Sequence, residues 1–259
     1  MLGAIIGDVV GSIYEWDNVT SRDFPLFDGT EKSFFTDDTI CTVALADCLM
    51  NDGNPVEYLQ RYCRKYPNGG YGGRFREWIQ LNDPQPYNSW GNGSAMRISP
   101  VAFALQNWNE IKTKTIEFTE ITHNHEFGIA GALATSEAIY LSKFAENKEF
   151  LIDIILKYFP EFDISLSLNE IRPNFKFDES CQGTVPYAMK CVLESNSFES
   201  AIRNAIWLGG DCDTTACISG GIAQAYYKEI PDWISFETFK KLPDSFIRII
   251  HEFNYRFKL

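Results

Sequence analysis

The chain has 259 residues, 45% of them hydrophobic and 22% charged, the proportions of a folded globular protein rather than a disordered one. A formal net charge of -12, with a pI near 4.7, sets its surface against nucleic-acid phosphates and disfavours sequence-independent DNA or RNA binding. No run approaches the roughly 18 apolar residues of a membrane span, so no membrane role is expected.

In chain order, residues 1–10 are apolar but lack a basic leader and run into Asp8, so they do not read as a signal peptide. The next element is a helix over 39–50, with Ile40, Val43, Ala44, Ala46 and Leu49 near helical spacing behind the capping-type residues Thr36, Asp37 and Asp38. Residues 67–90 are rich in Gly, Pro and Asn and are predicted to form a long irregular loop, a length that is often functional. Helices are predicted over 127–144, where Ile129, Leu133, Ala134, Ala138 and Leu141 fall on one side, and over 150–159 and 197–208. The segment 214–227 is rich in small residues and predicts a tightly packed helix, and 244–253 a final one. Alternation of the β type does not persist beyond about four residues anywhere. The fold expectation is therefore all-α, one domain over 1–259 with long site-forming loops. The seven cysteines contain no Cys-x-x-Cys pair, and Cys41, Cys48, Cys191 and Cys217 sit in apolar helical patterns. They read as reduced core residues, which together with the missing leader predicts a cytoplasmic protein.

Two short acidic clusters carry the chemical signal: Thr36-Asp37-Asp38-Thr39, and Gly210-Asp211-Cys212-Asp213-Thr214, each just before a helix. Asp and Thr are favoured helix caps, so each cluster alone has a purely structural reading. Capping needs one such residue, however, and both sites hold several. Carboxylates packed this closely repel unless a cation sits between them, and an all-oxygen set suits a hard ion such as Mg²⁺, Mn²⁺ or Ca²⁺. Zinc would favour His and Cys, and the chain has three histidines. A second motif reading is the phosphorylated-aspartate loop of haloacid dehalogenase-type phosphatases, Asp211-x-Asp213-x-Thr215. That reading requires a buried strand ending near Leu208 and an α/β domain behind it, for which the remaining chain leaves little room.

With both clusters in view, the sequence resembles the ADP-ribosylhydrolase (ADP-ribosylglycohydrolase) family, which includes dinitrogenase reductase-activating glycohydrolase. Five segments carry the resemblance in order: residues 3–12 with Tyr14-Glu15, Thr36-Asp37-Asp38-Thr39, Gly91-Asn92-Gly93-Ser94-Ala95-Met96-Arg97, Thr122-His123-Asn124-His125, and Gly210-Asp211-Cys212-Asp213-Thr214. Many members carry proline after the second histidine, where this chain has Glu126. The resemblance implies a compact orthogonal helical bundle with a central dinuclear site of two Mg²⁺ (or Mn²⁺) ions. It implies Thr36, Asp37, Asp38, Asp211, Asp213 and Thr214 as ligands. It also implies hydrolysis of the N- or O-glycosidic bond at the ribose anomeric carbon of an ADP-ribosylated protein or small molecule. The catalytic acid/base is either Glu15 or a metal-site aspartate, Asp37 or Asp213. Gly91, Asn92, Gly93 and Ser94 are candidates for the diphosphate, since backbone N–H groups approach phosphate best where no Cβ intervenes; the plain alternative is a turn before a helix. His123 is a candidate substrate contact, more so than His125. Arg97 reads as a structural ion pair or a phosphate contact, and Asp8 as a helix-packing residue or a prop behind a ligand. Tyr71, Phe75, Tyr87 and Trp90 are packing residues or adenine-stacking candidates. A non-catalytic ADP-ribose-binding module is the other class of function. Loss of Glu15 or Asp213 would point to it, and both are present.

Overall fold

In the first helix, α1 (Leu2–Gly11), all ten residues are buried, as expected where a helix is apolar all round. It runs through the middle of the molecule against α13 (Cys212–Tyr227), itself buried along nearly its whole length, and this is the most extensive helix pair in the fold. Glycine makes the approach feasible. A Cβ on Gly7 would lie 2.0 Å from the carbonyl oxygen of Ala216, and one on Gly11 would lie 2.4 Å from Cα of Asp213. The computed structural model describes residues 1–27, 29 and 32–259.

Around this pair the other helices follow in order. After α2 (Asp37–Met50) come α3 (Pro55–Lys65), α4 (Gly73–Gln80), the short α5 (Gly93–Met96) and α6 (Ser99–Ala104), then α7 (Trp108–Glu120) and α8 (Glu126–Ser142). The chain continues through α9 (Phe150–Tyr158), the short α10 (Leu168–Ile171), α11 (Cys181–Leu193) and α12 (Phe198–Leu208). Beyond α13 lie α14 (Asp232–Phe239) and α15 (Asp244–Phe257). Helices α8, α11 and α12 pack on α13, while α15 lies across α2. The buried apolar residues form one continuous cluster. Caps fix the starts. The Thr36 hydroxyl accepts from the Asp38 amide at 3.4 Å, with Asp37 and Asp38 in the first turn of α2 where the helix dipole favours anions. Asn54 caps α3, which has Pro55 in its first turn, and Ser197 caps α12.

The architecture is all-α, as the periodicity predicts. Among the described residues the β-type pairing is limited to an isolated bridge between Gly91 and Ser180. The haloacid dehalogenase reading fails here, because the segment before Asp211 is helix α12 and not a strand. The predicted loop over 67–90 is corrected too. Helix α4 lies inside it, burying Phe75, Trp78 and Ile79; glycines at 69, 70, 72 and 73 and prolines at 84 and 86 bracket that short apolar stripe and mask it. No helix among the described residues is long and apolar enough to cross a membrane. All seven cysteines are buried free thiols; Cys41 and Cys63 approach to 3.8 Å between sulfurs.

Candidate metal and substrate site

The turn from α12 into α13 passes through Gly209 at φ +88° and Gly210 at φ +67°, the left-handed region that costs glycine nothing. This reversal delivers Asp211 as the N-terminal flanking residue of α13 and Asp213 into its first turn. The glycine contacts of α1 then set Asp8 beside Asp213, and α2 brings Asp38 to the same point. Carboxylate oxygens of Asp8, Asp38 and Asp213 all lie within 4.8 Å of one another, as do those of Glu15, Asp211 and Asp213. Asp213 belongs to both triads. Asp37 stands outside them but lines the same cavity.

Asp8 ties the first cluster together. It accepts from the Thr36 amide at 2.9 Å, the Thr36 hydroxyl at 2.6 Å and the Thr39 amide at 3.1 Å. The Thr36 proton is thereby committed, and a lone pair stays free for a cation. Thr214 donates its hydroxyl to Asp38 at 3.3 Å and its amide to Asp213 at 2.9 Å. Asn92 donates to Asp211 at 2.6 Å and to Thr184 at 2.9 Å, so it holds a carboxylate in place.

The electrostatics are those of anions packed without a counter-charge. Burial, then the neighbouring Asp8, pushes Asp37 up from 3.8 to about 8. Burial, then Asp211, pushes Glu15 up from 4.5 to about 7. Asp38 and Asp213 are pushed well above the carboxylate range, by burial and then by Asp8 and Asp211 respectively. None of the ion pairs among the described residues involves these carboxylates. One buried oxygen of Asp38, Oδ1, has no hydrogen-bond partner. An orphaned carboxylate oxygen within an all-oxygen, uncompensated set fits hard divalent cations. Burial and then Asp38 raise the nearby Cys217 thiol well above its ordinary range.

Glu15, Asp37, Asp38, Asp211 and Asp213 line a cavity of about 340 Å³, at the lower end of the size range of small-molecule sites. Arg74, Arg97 and His123 line it too, with Gly70, Gly72, Gly91 and Gly93, so the cavity combines carboxylates with hydrogen-bond donors and bare backbone. Of the predicted substrate residues, Gly91, Asn92, Gly93 and His123 line it. Ser94 does not. It is fully buried, and its hydroxyl donates to the Gly128 carbonyl at 2.8 Å. Phe75 and Tyr87 face the cavity, whereas Tyr71 is buried with its hydroxyl on the Tyr66 carbonyl and Trp90 stands half exposed outside. His125 caps α8, its ring accepting from the Phe127 amide. Arg97 is buried and forms no ion pair among the described residues; it donates to the Thr122 hydroxyl at 2.6 Å. Glu179, which the sequence reading passed over, also lines the cavity and is raised by burial and by Asp211. Its signal was available: Asp178-Glu179 is a third acidic pair just before a helix, α11.

A model of the ADP-ribosylglycohydrolase family matches residues 1–252. The chain is 24% identical to the ADP-ribosylhydrolase ARH3 of Mus musculus, over 97% of this chain and 91% of that protein. It is 27% identical to the putative ADP-ribosyl glycohydrolase L543 of Acanthamoeba polyphaga mimivirus, over 90% and 88%. A solved structure described as an ADP-ribosylglycohydrolase-related protein complex superposes with a TM-score of 0.67 at 21% identity, covering 93% of this chain and 96% of that one. With the match running through both acidic clusters and every residue of the cavity, this chain belongs to the ADP-ribosylglycohydrolase family.

Proposed function

We propose that this protein releases ADP-ribose from ADP-ribosyl conjugates, with Glu15 handling the proton and two Mg²⁺ or Mn²⁺ ions held by the paired acidic clusters. The observation that carries this reading is the pair of carboxylate triads sharing Asp213, of which Glu15, Asp38, Asp211 and Asp213 line a cavity that also presents Arg74, His123 and bare glycine backbone. Asp8, Asp38 and Asp213 would hold one ion with Thr36 or Thr214, and Asp211 and Asp213 the other, with Asp37 at their edge. When bound, such ions supply Lewis-acid polarisation and a fixed orientation for ribose hydroxyls. The residues themselves do the rest. Arg74, His123 and the glycine backbone take the diphosphate, which directs the ribose toward the carboxylates. Bond cleavage at the anomeric carbon passes through an oxocarbenium-like state, which the surrounding carboxylates favour electrostatically. Glu15, raised to about 7, is poised to give a proton to the leaving group or take one from the attacking water near neutral pH.

The test is a panel of arginine-, serine- and base-linked ADP-ribosyl conjugates and O-acetyl-ADP-ribose, each incubated with Mg²⁺, with Mn²⁺ and with chelator, and read as free ADP-ribose by mass spectrometry. Metal-dependent release from at least one conjugate is expected, and the conjugate that reacts identifies the linkage. Release that persists undiminished in chelator would overturn the metal assignment. Tight ADP-ribose binding with no release from any conjugate would mark a binding protein instead.

A further inference from the structure

Three buried side chains form a chain of hydrogen bonds that ends at the cavity wall. Arg97 donates from Nη2 to Thr122 Oγ1 at 2.6 Å, and Thr122 Oγ1 lies 2.7 Å from His123 Nδ1. The proton count along this chain has one satisfactory solution. A guanidinium can only donate, so one lone pair of the Thr122 oxygen is taken by Arg97. The hydroxyl has a single proton, and Thr122 is fully buried with no acceptor within reach other than His123 Nδ1 among the described residues. If the histidine instead carried its proton on Nδ1, the Thr122 hydroxyl proton would be stranded without a partner in a dry site, which buried polar groups avoid. Nδ1 is therefore the acceptor, and the ring proton resides on Nε2.

The other end of the ring is where a ligand would meet it. Nε2 lies against the bare backbone of the glycine loop, 3.4 Å from where a Cβ on Gly93 would stand and 3.7 Å from that of Gly91. It has no protein hydrogen-bond partner among the described residues, and His123 lines the cavity. Burial and the adjacent Arg97 charge both disfavour the imidazolium.

We propose that Thr122, held by Arg97, is a positioning residue that fixes His123 as a neutral imidazole with its proton on Nε2, so that the cavity presents a donor and never an acceptor to an anionic oxygen of the substrate. The role assigned to the substrate rests on the function proposed above; the tautomer does not. Arg97 and Thr122 act through His123 and touch no reacting atom. The alternative tautomer would turn a lone pair toward the phosphate oxygens and weaken binding without altering the chemistry at the ribose.

The experiment is long-range ¹H–¹⁵N correlation NMR on histidine-labelled protein, in which the chain's three histidines are separable by His125→Gln and His251→Gln. His123 is expected to show a protonated Nε2 and a bare, hydrogen-bonded Nδ1, and its Nε2 signal to move when ADP-ribose is added. Thr122→Val should give a mixture of tautomers and raise KM about tenfold, the worth of one hydrogen bond to a charged group, with kcat within about twofold. Thr122→Ser should restore both. A protonated Nδ1 in the wild type overturns the proposal even if the valine variant fails to fold, as does a valine variant that folds with an unchanged tautomer. An Nε2-protonated His123 in a protein that releases ADP-ribose from no conjugate leaves this assignment standing and removes the hydrolase reading.

Discussion

The carboxylate of Asp8 accepts three hydrogen bonds from Thr36 and Thr39 while standing in one cluster with Asp38 and Asp213. It therefore orients the start of α2 and adds charge to the site, and removing its charge should loosen both. Asp8→Asn is expected to weaken Mg²⁺ or Mn²⁺ binding by roughly 10–100-fold, as losses of groups that orient ligands do. Calorimetric titration checks this, and an unchanged affinity would reduce Asp8 to a packing residue. Glu15 separates the same way into binding and chemistry. Glu15→Gln keeps the shape but not the proton, so kcat should fall by roughly 10²–10⁴-fold while ADP-ribose affinity stays within a few-fold. A variant with normal kcat would transfer the acid/base role to a metal-site aspartate. At this scale the sequence is most informative where ligands are neighbours. Asp37-Asp38 and Asp211-Cys212-Asp213 declare themselves because their charges are adjacent in the chain. Asp8, isolated in an apolar helix, has no such local signature, and only the folded structure shows its three donors. Ser94 fails for the opposite reason. Its motif position suggests a ligand contact, but which way a hydroxyl points depends on α8, since the Gly128 carbonyl that receives it lies 34 residues away.

Among the elements, the seam between α1 and α13 decides the geometry of the site. Gly3, Gly7 and Gly11 lie on one face of α1, and a Cβ at any of them would overlap the backbone of α13. Gly7→Ala must push the two helices apart or unseat Ala216, an overpacking defect expected to cost about 3 kcal/mol. For a chain of this size that corresponds to a fall in Tm of roughly 6–12 °C, measurable by scanning calorimetry. Because Gly11 abuts Asp213, the same variant should weaken metal binding as well; a Tm loss with full metal affinity would show that seam and site are uncoupled. Periodicity reads some of the helices: 39–50, 150–159, 197–208 and 214–227 agree with the observed α2, α9, α12 and α13 to within about two residues at either end, whereas α3, α7, α11 and α14 were not predicted. The final helix continues four residues beyond the predicted 253, to Phe257. Helix α4 was lost because its eight residues sit among glycines, and turn-forming composition there outweighs three apolar side chains.

For the molecule as a whole, the site is a store of like charge that an ion would relieve. The sign follows from proton counts. Asp37 and Glu15 in the folded protein hold protons up to about 8 and about 7, whereas in the unfolded chain they lose them near 3.8 and 4.5. Between those limits the folded state binds more protons, so its stability falls as pH rises through the window. The chelated protein should therefore melt at a lower temperature at pH 8 than at pH 5. Added Mg²⁺ or Mn²⁺ should raise Tm far more at pH 8 than at pH 5, since protons no longer compete for the oxygens. Thermal scans with and without metal at both values decide it, and a Tm that climbs with pH in chelator would contradict the uncompensated cluster. Composition and periodicity do not place these groups together; the ordered motifs that resemble a known family point Glu15, Asp38, Asp211 and Asp213 to one site, and the helix packing adds Asp8 to it.

The glycine seam also has a consequence in time. The ribosome extends a chain at about 5–20 residues per second, so roughly 10–40 s separate the emergence of Gly11 from that of Asp213 some 200 residues later. Throughout that interval α1, buried at all ten residues in the finished protein, has no α13 to lie against. A nascent or truncated chain lacking α13 thus has an apolar helix to shelter and half of a carboxylate cluster. Helix α13 supplies Asp213 to both carboxylate triads, so neither triad is complete in a chain that lacks it.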